Sequence, residues 1–264
     1  MIDIAKSKKQ FKKYLDKYKD QDKLGFELKV IHTYKVIENA REIARKLGLT
    51  EEDEKIAELI ALLHDIGRFE ELNLFNQFES RSFNHADYGV KVLFEDKLIR
   101  DFVEDDSYDE IIRKAIYNHN KYKIESGLDD RELLHANLIR DADKLDNFRL
   151  KKEEKIEAIF PGIVTSPTEM EESKLSDKVY EAVLSRRCVD IHDRKEPLDY
   201  WICVLAFIFD IYFKETFELI KDKDYVNIII DRFNYKNAET REKMKRIKEV
   251  ANDYVDSKIY VKKR

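Results

Sequence analysis

Four histidines and two aspartates share one property: each falls on the apolar stripe of its own helical segment. His32 lines up with Val36, Ala40 and Ile43, and His64 follows Ile56, Ile60 and Leu63, with Asp65 beside it. His85 aligns with Gly89 and Val92, His119 continues Ile112, Ala115 and Ile116, and Asp143 stands beside Ala142 and four residues after Ile139. Buried imidazole and carboxylate cost free energy unless they are hydrogen-bonded or coordinating. A single such histidine is commonly a satisfied core residue; six such groups together are most economically explained by a shared metal site. Imidazole suits Fe, Mn, Zn, Co or Ni, and a carboxylate spans two ions. Six protein ligands overfill one open catalytic zinc, which takes three, so two divalent ions are expected. Adjacent helical residues point about 100° apart, so His64 is placed to serve one ion while Asp65 turns to bridge both.

The elements that must carry these residues are helices. The chain has 264 residues, 43% of them hydrophobic and 40% charged, with only 6 glycines and 3 prolines to make turns. Periodicity predicts helices over about 4–18, 25–47, 50–66, 85–95, 109–117 and 131–148, then 170–184, 198–221 and 238–256. Gly48 and Thr50 read as a C-terminal stop and an N-cap, with Asp53 at the capping-box position, and Gly67 reads as the end of the helix that carries His64. Residues 69–84 read as a long connection. The stretch "FPGIVTSPTE", Phe160 to Glu169, holds two prolines and reads as a hinge, which divides the chain into a helical core at 1–160 and a helical C-terminal extension, packed on that core, at 161–264.

Net charge is −5 with acids and bases interspersed, which argues against a nucleic-acid polymer as partner. Cys188 and Cys203 form no CxxC pair, so reduced thiols and a cytoplasmic location are expected. "YWICVLAFIFDIYF", Tyr200 to Phe213, is shorter than a membrane span and contains Asp210, so it reads as a core helix. The N-terminus lacks the apolar run of a signal peptide, and "VKKR" at the C-terminus reads as a solvated charge run. The C-terminal helices offer a surface for a homodimer.

In order, His32, His64-Asp65, His85, His119 and Asp143 resemble the H…HD…H…H…D pattern of the HD-domain superfamily of metal-dependent phosphohydrolases, in particular its binuclear branch. "HDIG" and "DADKLD" add to the likeness, which spans roughly residues 23–148. The resemblance implies an all-α helical bundle core with additional C-terminal helices. It also implies that His32, His64, Asp65 and Asp143 hold one metal while Asp65, His85 and His119 serve the other. The implied reaction is hydrolysis of a phosphate ester or anhydride in a small, nucleotide-like substrate by a hydroxide bridging two metals about 3.5–4 Å apart. Where the cyclic-dinucleotide phosphodiesterases of the superfamily carry lysine after "HDIG", a paired histidine and a GYP signature, this chain has Arg68, His119-Asn120 and no GYP.

Charge building on the phosphoryl oxygens needs cations, and Arg68, three residues after Asp65, leads because guanidinium binds phosphate bidentately. Lys144, next to Asp143, is the second candidate and Lys121 the third; Arg187 and His192, in a basic stretch before the apolar helix, could add substrate contacts. Asp146 is read either as orienting a ligand histidine or as a surface acid, and His135 as no ligand. Two other functions fit the same ligand pattern: a mixed-valent di-iron oxygenase resembling myo-inositol oxygenase, and a non-catalytic sensing module.

Overall fold

The computed structural model describes residues 2–18, 24–75, 83–160 and 163–260, and among them it contains helices and no strand. Cα proximity divides the chain into two compact units, Met1–Asp143 and Lys144–Arg264. That division falls inside a helix, α8 below, whereas the sequence places its boundary at 160/161; residues 161 and 162 of the expected hinge lie outside the described residues, as does "VKKR".

In the first unit, α1 (Ile4–Leu15) and its 3-10 extension precede the long α2 (Leu24–Lys46). Gly48 then takes a positive φ of 68°, a conformation that glycine adopts without strain. The Thr50 hydroxyl accepts a hydrogen bond from the Asp53 backbone at 3.1 Å, and four acids in the first turn of α3 (Glu51–Leu63) complement its dipole. α2 contributes Val36, Ile37, Ala40 and Ile43 to the core, and α3 contributes Ile56, Leu59, Ile60 and Leu63, all essentially buried. Each valine, leucine or isoleucine among them contributes about 1.5–3 kcal/mol on burial. Together they fix the rotation of both helices, and with it the direction of His32 and His64.

The structure corrects the role of Gly67. α3 ends at Leu63, and Gly67 lies in the first turn of a further helix, α4 (Ile66–Phe75), so part of the expected connection is helical. Residues 76–82 of that connection lie outside the described residues. A Cβ at Gly67 would stand 2.2 Å from the His85 carbonyl oxygen and 2.9 Å from the Gly89 nitrogen. Gly67 is therefore needed for the close approach of α4 to α5 (His85–Val90). A π turn at Lys91–Glu95 continues α5, and the unit is completed by α6 (Ile99–Phe102), α7 (Asp109–Asn118) and the start of α8 (Asp130–Glu153).

The second unit holds the rest of α8, then α9 (Ile156–Ile159), α10 (Pro167–Glu172), α11 (Asp177–Leu184), α12 (Pro197–Leu205), α13 (Lys214–Asp222), α14 (Tyr225–Ile230) and α15 (Ala238–Ile259). Two expected long helices are each interrupted. The 170–184 helix breaks between α10 and α11, where the buried Ser173 hydroxyl accepts from the Leu198 backbone. The apolar run at 200–213 passes from α12 through a 3-10 turn, Ala206–Asp210, into extended backbone at Ile211. No described helix is long and apolar enough to cross a membrane.

Candidate metal centre

The six predicted ligands converge in the first unit although they come from five helices or helix ends. Two of the histidines are set by the same device. His64 follows the last residue of α3 and its Nδ1 lies 2.8 Å from the Ala61 carbonyl; His119 follows α7 and its Nδ1 lies 2.6 Å from the Ile116 carbonyl. A carbonyl oxygen only accepts, so each Nδ1 carries a proton and Nε2 is the ring atom turned to the interior. His85 is the first residue of α5, which Asn84 caps by accepting from the Ala86 and Asp87 backbone. His32 projects from the middle of α2, and the Asn39 side chain two turns on donates to the Ala142 carbonyl at 3.1 Å, tying α2 to α8 beside Asp143.

The donors form two groups of three: His32, His64 and Asp143, and Asp65, His85 and His119, the ligand atoms of each lying within 4.8 Å of one another. Asp65 faces both. Its Oδ2 lies 3.1 Å from His64 Nε2 and 3.7 Å from His32 Nε2, while its Oδ1 lies 3.3 Å from His85 Nε2 and 3.5 Å from His119 Nε2. His32 Nε2 is 3.0 Å from Asp143 Oδ1.

Four of the six groups are biased toward the protonation states that ligands need. Burial alone would raise the Asp65 carboxyl, but the adjacent Lys29 ammonium holds it well below its usual range. At Asp143 burial is likewise outweighed, by the contact with His32. Burial pushes His85 down, aided by the Arg68 charge, and burial also lowers His119 against the opposing pull of Asp65. His85 and His119 are thereby biased toward neutral imidazole, facing an Asp65 carboxyl biased toward the ionised form.

This arrangement is poorly satisfied by protein alone. His64 Nε2 and Asp65 Oδ1 are buried and make no hydrogen bond among the described residues. His85 Nε2 and His119 Nε2 are 3.1 Å apart; the first accepts from Arg68 and the second is the lone-pair nitrogen, so two acceptors face each other. A divalent cation within each group turns these repulsions into coordination, so the donor set fits two ions.

The remaining candidates fall in different places. Arg68 reaches the second group: its guanidinium lies 3.8 Å from Asp65 Oδ1 and 3.1 Å from His85 Nε2, and the buried Glu71 anchors it at 2.5 Å. Lys121 pairs with Asp87 at 2.9 Å and lies over the Tyr117 ring. Lys144 belongs to the second unit, where it is buried and pairs with Asp210 at 2.8 Å. Arg187 and His192 are exposed on that unit. Asp146 is not a surface acid: it is buried and grips Arg149 with both oxygens, at 2.5 and 3.1 Å. His135 stays outside both groups and contacts Asp53 at 3.2 Å.

Three residues escaped the sequence reading. Lys29, one turn before His32, forms an ion pair with Asp65 Oδ2; its only signal was that i, i+3 spacing. Glu71, three residues after Arg68, is a buried carboxylate. Arg140, three residues before Asp143, donates to the Asn118, His119 and Lys121 carbonyls at 2.8, 3.4 and 2.5 Å. No curated protein and no solved structure matches the chain. The family model of the HD domain matches residues 30–147, a span that contains all six ligand candidates.

Proposed function

We propose that this chain, whose residues 30–147 match the family model of the HD domain, is a metal-dependent phosphohydrolase that hydrolyses a phosphate ester or anhydride of a small phosphorylated substrate with two divalent ions. The observation that carries this reading is the division of Asp65, with Oδ2 turned to His32 and His64 and Oδ1 to His85 and His119. His32, His64, Asp65 and Asp143 would hold one ion, and Asp65, His85 and His119 the other. When bound, such ions supply Lewis acidity toward a phosphoryl oxygen and lower the pKa of water.

The chain's own groups prepare that chemistry. The Ala61 and Ile116 carbonyls fix the His64 and His119 tautomers, so neither ring has to reorient. Exposure within the cluster rises from 4% at Asp65 to 16% at Arg68 and 23% at Asp143, which marks the side from which substrate would arrive. Arg68, braced by Glu71, is on that side and would meet the phosphoryl oxygens with a preorganised planar cation. Lys121 and Lys144 would each have to leave a carboxylate partner to do the same.

Metal analysis of the purified chain, followed by anaerobic phosphate-release assays with Mn, Co or Ni, tests the reading. The substrate panel would include nucleotides, dinucleoside polyphosphates, cyclic dinucleotides and phosphomonoesters. Two ions per chain and phosphate release without oxygen are expected. Oxygen uptake stoichiometric with turnover would replace the hydrolase with a di-iron oxygenase.

A further inference from the structure

Two cationic side chains enter the ligand cluster, and they are held differently. Arg68 has a permanent counter-charge in Glu71, at 2.5 Å. Lys29 pairs with Asp65 Oδ2 and, among the described residues, with no other carboxylate. Its oxygen partner is the one that also faces His64 at 3.1 Å and His32 at 3.7 Å. An ion held by those donors would compete directly with the ammonium for Asp65 and would repel it at short range. Arg68 would keep Glu71 through that exchange. Lys29 would be left as a largely buried cation without an anion, which is costly. Its side chain is 12% exposed and its four-carbon stem is flexible, so it can turn toward the accessible side occupied by Arg68 and Asp143. On the phosphohydrolase reading, the anion arriving there is the phosphoryl group.

We propose that Lys29 is a substrate-contacting residue that exchanges anions: it holds Asp65 in the metal-free protein and binds a phosphoryl oxygen once the metals have taken Asp65. The inference rests on the two-metal phosphohydrolase reading and adds a second phosphoryl-binding cation, from a different helix, to Arg68.

The test uses the full chain with Lys29→Met and Lys29→Arg, with Lys29→Gln in reserve should the methionine variant fail to fold by circular dichroism. Calorimetric titration with Mn²⁺ comes first, and titration of the Mn-loaded proteins with inorganic phosphate follows. Loss of one charge-assisted contact should make phosphate binding about tenfold weaker or more in Lys29→Met. Removal of the competing ammonium should tighten Mn²⁺ binding in the same variant, and Lys29→Arg should recover phosphate binding. Two bound Mn²⁺ with unchanged phosphate affinity in Lys29→Met would overturn this inference and leave the metal centre standing. Weaker Mn²⁺ binding in that variant would likewise overturn it, showing that Lys29 organises the ligands instead of competing with metal. A wild-type chain that takes up no Mn²⁺, Co²⁺, Ni²⁺, Fe²⁺ or Zn²⁺ would overturn the metal-centre reading and this inference together.

Discussion

Asp199 and Asp65, both buried and one from each unit, are treated in opposite ways. Asp199, in the second unit, accepts from the Ser176 backbone and hydroxyl at 3.0 and 2.6 Å and from the Lys195 and Glu196 backbone at 2.9 Å each. Four donors with their hydrogens aimed at one carboxylate make a structural joint between α11 and α12. Asp65, in the first unit, is ringed by the Nε2 atoms of four histidines, and its Oδ1 has no hydrogen bond among the described residues. Depth of burial does not separate these residues; what separates them is whether the surroundings offer protons or lone pairs. Asp199 is satisfied by donors alone, whereas Asp65 meets one ammonium, Lys29, on Oδ2 and otherwise faces ring nitrogens, a setting that suits a metal cation.

The comparison breaks most sharply at Asp65. Asp65→Ala should lose both ions, and with them activity, while the helical circular dichroism spectrum is retained; inductively coupled plasma metal analysis reads the result. Full occupancy in that variant would sink the bridging assignment. Asp199→Ala should do the reverse. Removing the buried carboxylate that accepts four hydrogen bonds should cost about 2–4 kcal/mol in a denaturant melt, with the metal content per folded chain unchanged. If Asp199→Ala also lost metal, the distinction between joint and ligand would fail.

The ligands were legible because α-helical periodicity displays burial: a histidine in register with Ile60 or Ile116 must face inward, and six such residues are hard to satisfy otherwise. Helix starts with side-chain caps, as at Thr50, were equally plain. Glycine was ambiguous. Gly48 and Gly67 look alike in sequence, yet one supplies a positive φ and the other room for the His85 carbonyl, and only the neighbouring helix reveals which. The interruption at 206–213 was hidden because an apolar run reads the same whether or not the helix breaks within it. Lys29, Glu71 and Arg140 were missed for a related reason: their meaning lies in partners 36, 14 and about 20 residues away, or in a neighbour whose own burial had to be known first.

Arg140 sharpens the comparison within the first unit, between the two ligand groups. Its guanidinium collects the carbonyls at the end of α7, where an uncompensated negative dipole end would otherwise be buried beside His119. His119 belongs to one group only, so Arg140→Met should weaken the ion at Asp65, His85 and His119 by roughly ten- to a hundredfold, the range for lost outer contacts of a metal ligand. The ion at His32, His64 and Asp143 should change far less. Stepwise calorimetric titration with Mn²⁺ separates the two. An equal loss at both sites would mean that Arg140 acts through the packing of α8 and not through His119.

The smallest effect belongs to a histidine that resembles the ligands in burial and differs in surroundings. His135 is buried and touches Asp53, which Arg131 also holds at 2.7 Å. Burial lowers its pKa, with Asp53 pulling the other way, so in the folded state it is neutral where the unfolded chain would be protonated. The sign follows: with the folded pKa below the unfolded value of about 6.5, its contribution is present above that pH and is lost as pH falls. The loss is at most about 1.4 kcal/mol per pH unit for one proton. In metal-loaded protein the coordinated histidines would be withheld from protonation, whereas His135 would not. The melting temperature between pH 7.5 and 5.5 should therefore fall less steeply in His135→Gln than in the parent chain. An unchanged slope would mean that the Asp53 contact suffices to keep His135 protonated on folding.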